Sequence, residues 1–185
     1  MSLKLNTASG GSITLQEADT ASNLTITLPA VDGTMITTGS TFAGNGPAFA
    51  AYMSSTVQSL SGSTYTKIAF NTEYFDTNSN YDTTNYRFTP TTAGYYQVNV
   101  VIAMSENGSG GIQDYAFLYK NGSAYTSTRH YNGGQPMNNA FSCLVYLNGS
   151  TDYIEVYAWG SGGTPLVSNG GINANQFSSS FVRSA

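Results

Sequence analysis

Tyr96-Gln97-Val98-Asn99-Val100-Val101-Ile102-Ala103-Met104 is the stretch that decides the fold class. Tyr96, Val98, Val100, Ile102 and Met104 recur at every second position, so an extended chain puts all of them on one face. That period is the mark of a β-strand with one buried side. The pattern repeats on the C-terminal side. Asp114–Lys120 is a strand closed by Asn121-Gly122, and Ala124–Tyr131 is a polar strand that stops before Gly133-Gly134. Phe141–Leu147 runs into Asn148-Gly149, from which Tyr153–Trp159 is expected to pair back, and Phe177–Val182 is a final strand. Asn-Gly between alternating runs favours a tight hairpin, because a type I′ turn needs two residues at positive φ. No segment has apolar residues at three-and-four spacing with caps, and no repeat of blade or solenoid length is present. These patterns predict an all-β antiparallel sandwich of about eight or more strands.

Composition narrows the function. Charged residues make up 9% of the 185-residue chain, against about 25% in ordinary soluble domains. The polar surface is therefore built from Ser, Thr, Asn, Gln and Gly, which suits strands and turns. The net charge is −4, and Lys4, Lys67, Arg87, Lys120, Arg129 and Arg183 are spaced singly. No patch could neutralise a run of phosphates, so nucleic acid is not an expected partner. No apolar run is long enough to suggest membrane insertion. Met1–Asn6 shows no secretory signal. The lone Cys143 reads as a small buried apolar residue, and the lack of a disulfide framework fits assembly in a reducing cytoplasm. Fourteen Tyr supply apolar area with a polar tip, useful in interfaces and in recognition.

Three regions follow. Residues 1–40 are short alternating pieces, with Ile13-Thr14-Leu15, Leu24–Leu28 and Met35-Ile36 as strands too short to be stable without partner chains or a neighbouring domain. Residues 41–46 read as a Gly-rich linker, and residues 47–185 as one β domain. Within it Tyr153, Tyr157 and Trp159 alternate with Ile154, Val156 and Ala158, so both faces of that strand carry apolar area. A neighbouring subunit is the expected cover for Tyr153, Tyr157 and Trp159, and Phe181 on the final strand is expected in the same subunit interface.

A signature spans the domain: Pro47–Ala51, Lys67–Asn71, Asn80-Tyr81-Asp82, Arg87-Phe88-Thr89-Pro90, Ala93–Val98, Leu118–Gly122, Leu144–Gly149 with Asp152, and Gln176-Phe177-Ser178 with Phe181-Val182. In order and spacing it resembles the globular head of complement component 1q, whose fold is shared with tumour necrosis factor. The resemblance implies a jelly-roll β-sandwich of about ten strands that packs as a homotrimer on a threefold axis. Two departures count against a complement-like role. No collagen repeat precedes the head, and the usual Gly-Asp pair is spread out as Gly149-Ser150-Thr151-Asp152. Leu5–Leu15 and Leu28–Thr34 are similar to segments of bacteriophage tail-fibre proteins, which implies an intertwined β-rich stalk that attaches to other virion proteins. The combined expectation is a virion fibre or spike protein, assembled in the host cytoplasm, whose trimeric head meets a host-surface glycan or protein. A structural virion protein (head fibre, decoration or adaptor) and a bacterial surface adhesin are the alternatives.

No catalytic residues are expected. His130 is the only histidine and no Gly-x-Ser-x-Gly elbow is present. Glu73, Asp76 and Asp82 are the only acid cluster in the head that could host a glycosidase pair. No cofactor is expected, although Asp76–Asp82 could offer oxygens to calcium, with Asp76 and Asp82 as the candidates; an Asn/Asp-rich turn is the simpler reading. Three of the sequons, at Asn107, Asn121 and Asn148, are Asn-Gly-Ser turns, and Asn23 is the fourth. Receptor contact is placed on distal loops 105–113, 130–139 and 160–171, with Tyr131, Asn132, Gln135, Trp159 and Asn169 as binding residues.

Overall fold

Alternating apolar residues become strands here because one face of each finds another sheet to bury against. The computed structural model describes residues 2–6, 9–10, 12–16, 46–54, 57–106, 113–131, 137–161, 165–168 and 174–184. The chain divides into two compact units, Met1–Ile36 and Thr37–Ala185. In the first, β1 (Ser2–Asn6) pairs antiparallel with β2 (Ser12–Gln16), setting Leu3 opposite Leu15 and Leu5 opposite Ile13. The strands expected at Leu24–Leu28 and Met35-Ile36, and the linker apart from Gly46, lie outside the described residues.

In the second unit the strands are β3 (Ala48–Tyr52), β4 (Val57–Ser59), β5 (Thr66–Lys67), β6 (Thr72–Asp76), β7 (Tyr81–Asp82), β8 (Arg87–Phe88), β9 (Ala93–Glu106), β10 (Gln113–Lys120), β11 (Ser123–Tyr131), β12 (Met137–Asn148), β13 (Ile154–Gly160), β14 (Pro165–Ser168) and β15 (Gln176–Arg183). A seven-stranded sheet runs β4-β14-β9-β15-β3-β6, with β12 also paired to β9. A six-stranded sheet runs β11-β10-β13-β8-β7, with β5 also on β13. All pairings within both sheets are antiparallel, and the described residues form a jelly-roll sandwich.

The deciding stretch lies in β9. Tyr96, Val98, Val100, Ile102 and Met104 are buried, as the alternation predicts. From the facing sheet come Ala116, Leu118, Ile154, Val156 and Ala158. Phe49 on β3 joins the layers: its ring lies 4.6 Å from Tyr81, 4.5 Å from Phe88 and 4.9 Å from Phe177. Buried phenols are satisfied locally, Tyr81 Oη donating to Phe70 O at 2.8 Å and Tyr96 Oη to Thr92 O at 2.7 Å. Burial pushes Tyr96 up to about 12.

The two Asn-Gly pairs in described residues part company. Asn121 and Gly122 have φ of 52° and 78°, and they close the β10–β11 hairpin as expected. Asn148-Gly149 does not make a hairpin. β12 pairs with β9, whereas β13 pairs with β10, β5 and β8 in the other sheet. Only Gly149 of this pair has positive φ, at 72°, and the Asn148 side chain instead accepts from the amides of Ser150, Thr151 and Asp152. The corner thus crosses between sheets. A second correction concerns the expected loop 160–171: Pro165–Ser168 is a strand, β14, paired with β4 and β9.

Asp152 ties this corner to the hairpin. It accepts from Asn121 Nδ2 at 2.7 Å, from the Asn148 amide at 3.1 Å and from Lys120 Nζ at 2.9 Å. Burial opposes its ionisation, but the bonds from Asn121, Lys120 and Asn148 hold the carboxyl below its ordinary range. A depressed folded value means stability that is complete above the unfolded aspartate range near pH ~4 and is lost as pH falls through the lower folded value. Asp152→Asn is expected to flatten that acid limb in a melting-temperature series against pH; an unchanged limb would remove Asp152 from the account.

Candidate functional site

The outward face of the six-stranded sheet is built from cross-strand rows. β10 alternates Asp114, Ala116 and Leu118 inward with Tyr115, Phe117 and Tyr119 outward, and β13 turns Tyr157 and Trp159 to the same side. Register then sets Arg129, Tyr115 and Trp159 in one row, Ser127, Phe117, Tyr157 and Lys67 in the next, and Tyr119, Glu155 and Arg87 in a third. Directly opposed side chains in such rows stand about 5 Å apart, close enough for rings to touch.

They do touch. Tyr115 and Phe117 lie parallel at 5.6 Å, Trp159 meets Tyr115 edge-on at 5.3 Å, and Tyr65 meets Phe117 edge-on at 5.2 Å. Tyr119 stacks on Tyr157 at 4.2 Å. Tyr65, Tyr115, Phe117 and Trp159 line an open cavity of about 210 Å³. Burial, then the nearby Glu155, raises Tyr157; burial, then Tyr65, raises Tyr119. Both phenols therefore stay protonated and able to donate.

Glu155 anchors the other end of this face and is only 2% exposed. Its Oε1 accepts from Lys67 Nζ at 2.7 Å and from Arg87 Nε at 3.0 Å and Nη2 at 2.7 Å. The Arg87 guanidinium also covers the Tyr153 ring at 4.2 Å. At the opposite end Arg129 is exposed, 5.9 Å from the Tyr115 ring and 3.5 Å from its hydroxyl.

The outward face of the seven-stranded sheet differs in kind. Its central positions are Tyr95, Gln97, Asn99 and Val101 on β9, Ala140, Ser142, Leu144 and Tyr146 on β12, Ser178 and Ser180 on β15, and Ala48 and Ala50 on β3. None of these is charged. Leu144 is 53% exposed and Tyr95 41%, so apolar area faces outward there too.

Of the expected binding residues, Trp159 lies in the aromatic face, and Tyr131, 70% exposed, ends β11 on the same side, two residues beyond Arg129. Asn132, Gln135 and Asn169 lie outside the described residues. The expected seam residues do not share a surface. Tyr153, Tyr157 and Trp159 are on or beside the outward face of β13, whereas Phe181 sits in the other sheet with its ring 5.5 Å from Tyr96. Asp76 and Asp82 are committed to their own turns: Asp76 accepts from the amides of Asn78 and Tyr81, Asp82 from those of Thr84 and Asn85. Glu73 and Asp76 stand on β6 and Asp82 on β7, in different sheets. Among the described residues no three His, Cys, Asp or Glu side chains gather as a metal site. His130 is half-buried on β11; Cys143 is half-buried against the core, and burial pushes its thiol up. Sequence reading missed Tyr65, Tyr115, Phe117 and Arg129 as site residues. The signal for Tyr115 and Phe117 was present in the odd positions of Asp114–Lys120; Tyr65 had none.

The sandwich is a tumour-necrosis-factor-like jelly roll. Eiger TNF from S. frugiperda is similar at a TM-score of 0.55 and 11% identity, over 76% of this chain and 93% of that one. Murine APRIL, solved at pH 5.0, is similar at a TM-score of 0.52 and 6% identity, over 74% of this chain and 99% of that one. At such identities the likeness concerns the fold alone. No protein-family model matches the chain, and no curated protein matches it.

Proposed function

We propose that the chain is the homotrimeric head of a virion fibre or spike, and that it binds a host surface without catalysis. The observation that carries this reading is the contrast between the two outward faces. One is aromatic, concave in part and flanked by cations; the other is uncharged at its centre and partly apolar, with Arg183 beside Tyr95 toward one end. Burying Lys67, Arg87 and Glu155 more deeply in a subunit seam would cost desolvation that the uncharged centre of the other face avoids. The seam is therefore assigned to the seven-stranded sheet, and the aromatic face is left for recognition. Three copies of a weak site then gain by avidity. The first unit, with its β1–β2 hairpin, is assigned to virion attachment on the strength of its tail-fibre-like segments.

Solution mass tests the seam. Ser178→Arg is expected to convert a trimer to monomer, and Tyr157→Arg to leave the trimer intact. The reverse result would return the seam to the aromatic face. Adsorption tests the role: soluble protein is expected to block attachment of the virus that carries it. Firm virion association without blocking would favour the structural alternative.

A further inference from the structure

We propose that the cavity between Tyr65, Tyr115, Phe117 and Trp159 is a subsite for one ring of an acidic saccharide, with Arg129 meeting its carboxylate. The inference rests on the recognition reading above and names the ligand class of that same face. Four observations carry it. Among the described residues the cavity, at about 210 Å³, is lined by aromatic rings, and it is below the ~300 Å³ at which pockets for drug-sized ligands begin. It is therefore scaled to a single ring.

The walls are amphipathic. Parallel Tyr115 and Phe117, with Trp159 and Tyr65 edge-on, offer flat π-faces whose negative quadrupole attracts the C–H face of a sugar. Tyrosine hydroxyls and the indole N–H supply partners for sugar hydroxyls. Among the described residues no aliphatic side chain lines the cavity to favour an apolar peptide anchor.

Charge sets the preference. The protein carries −4 overall, yet Arg129 stands exposed beside Tyr115, and among the described residues no carboxylate pairs with it. A guanidinium presents a planar fork matched to a carboxylate. Near the Tyr115 ring and hydroxyl, it stands beside the cavity.

Trp159 is the only tryptophan in the chain and lies in the cavity wall, so its fluorescence reports occupancy directly. The intact trimer would be titrated with an oligoglucuronate hexamer and with a neutral maltohexaose of equal length. The uronate is expected to shift Trp159 emission saturably, with maltohexaose at least tenfold weaker. Tyr65→Ala, at a 56%-exposed position the fold does not need, is expected to weaken uronate binding about tenfold, on the order expected for a lost ring contact. Arg129→Gln is expected to remove the preference and leave the weak maltohexaose response. Equal binding of both sugars, or an unaltered preference in Arg129→Gln, overturns the acidic assignment. No emission shift with either sugar, while soluble protein still blocks adsorption, overturns the subsite and leaves host attachment standing. Selective uronate binding without adsorption blocking upholds the subsite and sinks the attachment reading.

Discussion

Phe49→Ala is expected to lower the melting temperature by roughly 10 °C. A large buried aromatic cut back to alanine costs about 3–5 kcal/mol, and each kcal/mol is worth about 2–4 °C in a domain of this size. Phe49 belongs at the upper end of that range. It is fully buried and touches rings from both sheets: Phe177 on its own side, Tyr81 and Phe88 across the sandwich. Removing it leaves a void between the layers, beside the two-residue strands β7 and β8. The cavity should be slow to collapse, because Tyr81 is fixed by its bond to Phe70 O. Phe49→Leu should recover more than half of the loss by refilling volume, and Tyr65→Ala on the surface should move the midpoint little. A shift below about 3 °C for Phe49→Ala would mean the sheets are held mainly through β9 and its neighbours.

The core was legible because its chemistry is periodic. Tyr96 to Met104 could lie in only one way, and the strands Asp114–Lys120 and Tyr153–Trp159 announce themselves by the same alternation. Sheet membership was less legible. Asn148-Gly149 carries the same dipeptide as Asn121-Gly122, yet one is a sheet crossing and the other a hairpin. The difference lies in what the asparagine side chain bonds: Asn148 accepts from the amides of Ser150, Thr151 and Asp152 just after it, whereas Asn121 bonds Asp152 and the Tyr153 amide across the corner. The short strands β5, β7, β8 and β14 were hidden for another reason. Two to four residues carry no period, and they become strands only because longer neighbours offer an edge. The site was half legible. Trp159 was singled out, and the aromatic positions of β10 were visible as alternation, but their assembly with Tyr65 and Arg129 depends on register across β11, β10, β13 and β5. Local sequence does not encode the register of β10, β13 and β5, which lie far apart in the chain.

Glu155→Leu is the second large effect, and its partners make it diagnostic. An acid 2% exposed on an outward face needs a cause, and Lys67 and Arg87 supply it, both bonded to the same oxygen. Removing one member of a buried ion cluster costs about 3–5 kcal/mol, because the remaining charges are left desolvated. Lys67 and Arg87 retain 27% and 34% exposure, so water recovers part of that, and a loss of about 2–3 kcal/mol in chemical denaturation is expected. Arg87→Met should cost more than Lys67→Met, since Arg87 bonds through two nitrogens and also covers Tyr153. The triple replacement Glu155→Leu, Lys67→Met, Arg87→Met should return most of the lost stability, because no unpaired charge then remains. If the triple variant stays as weak as Glu155→Leu alone, the cluster acts through shape and not charge: the long side chains would be packing over Tyr153 and Tyr157, and the loss of that cover would account for the deficit. If Glu155→Leu costs under about 0.5 kcal/mol, the cations are hydrated in solution. Desolvation would then no longer keep this face out of the subunit seam.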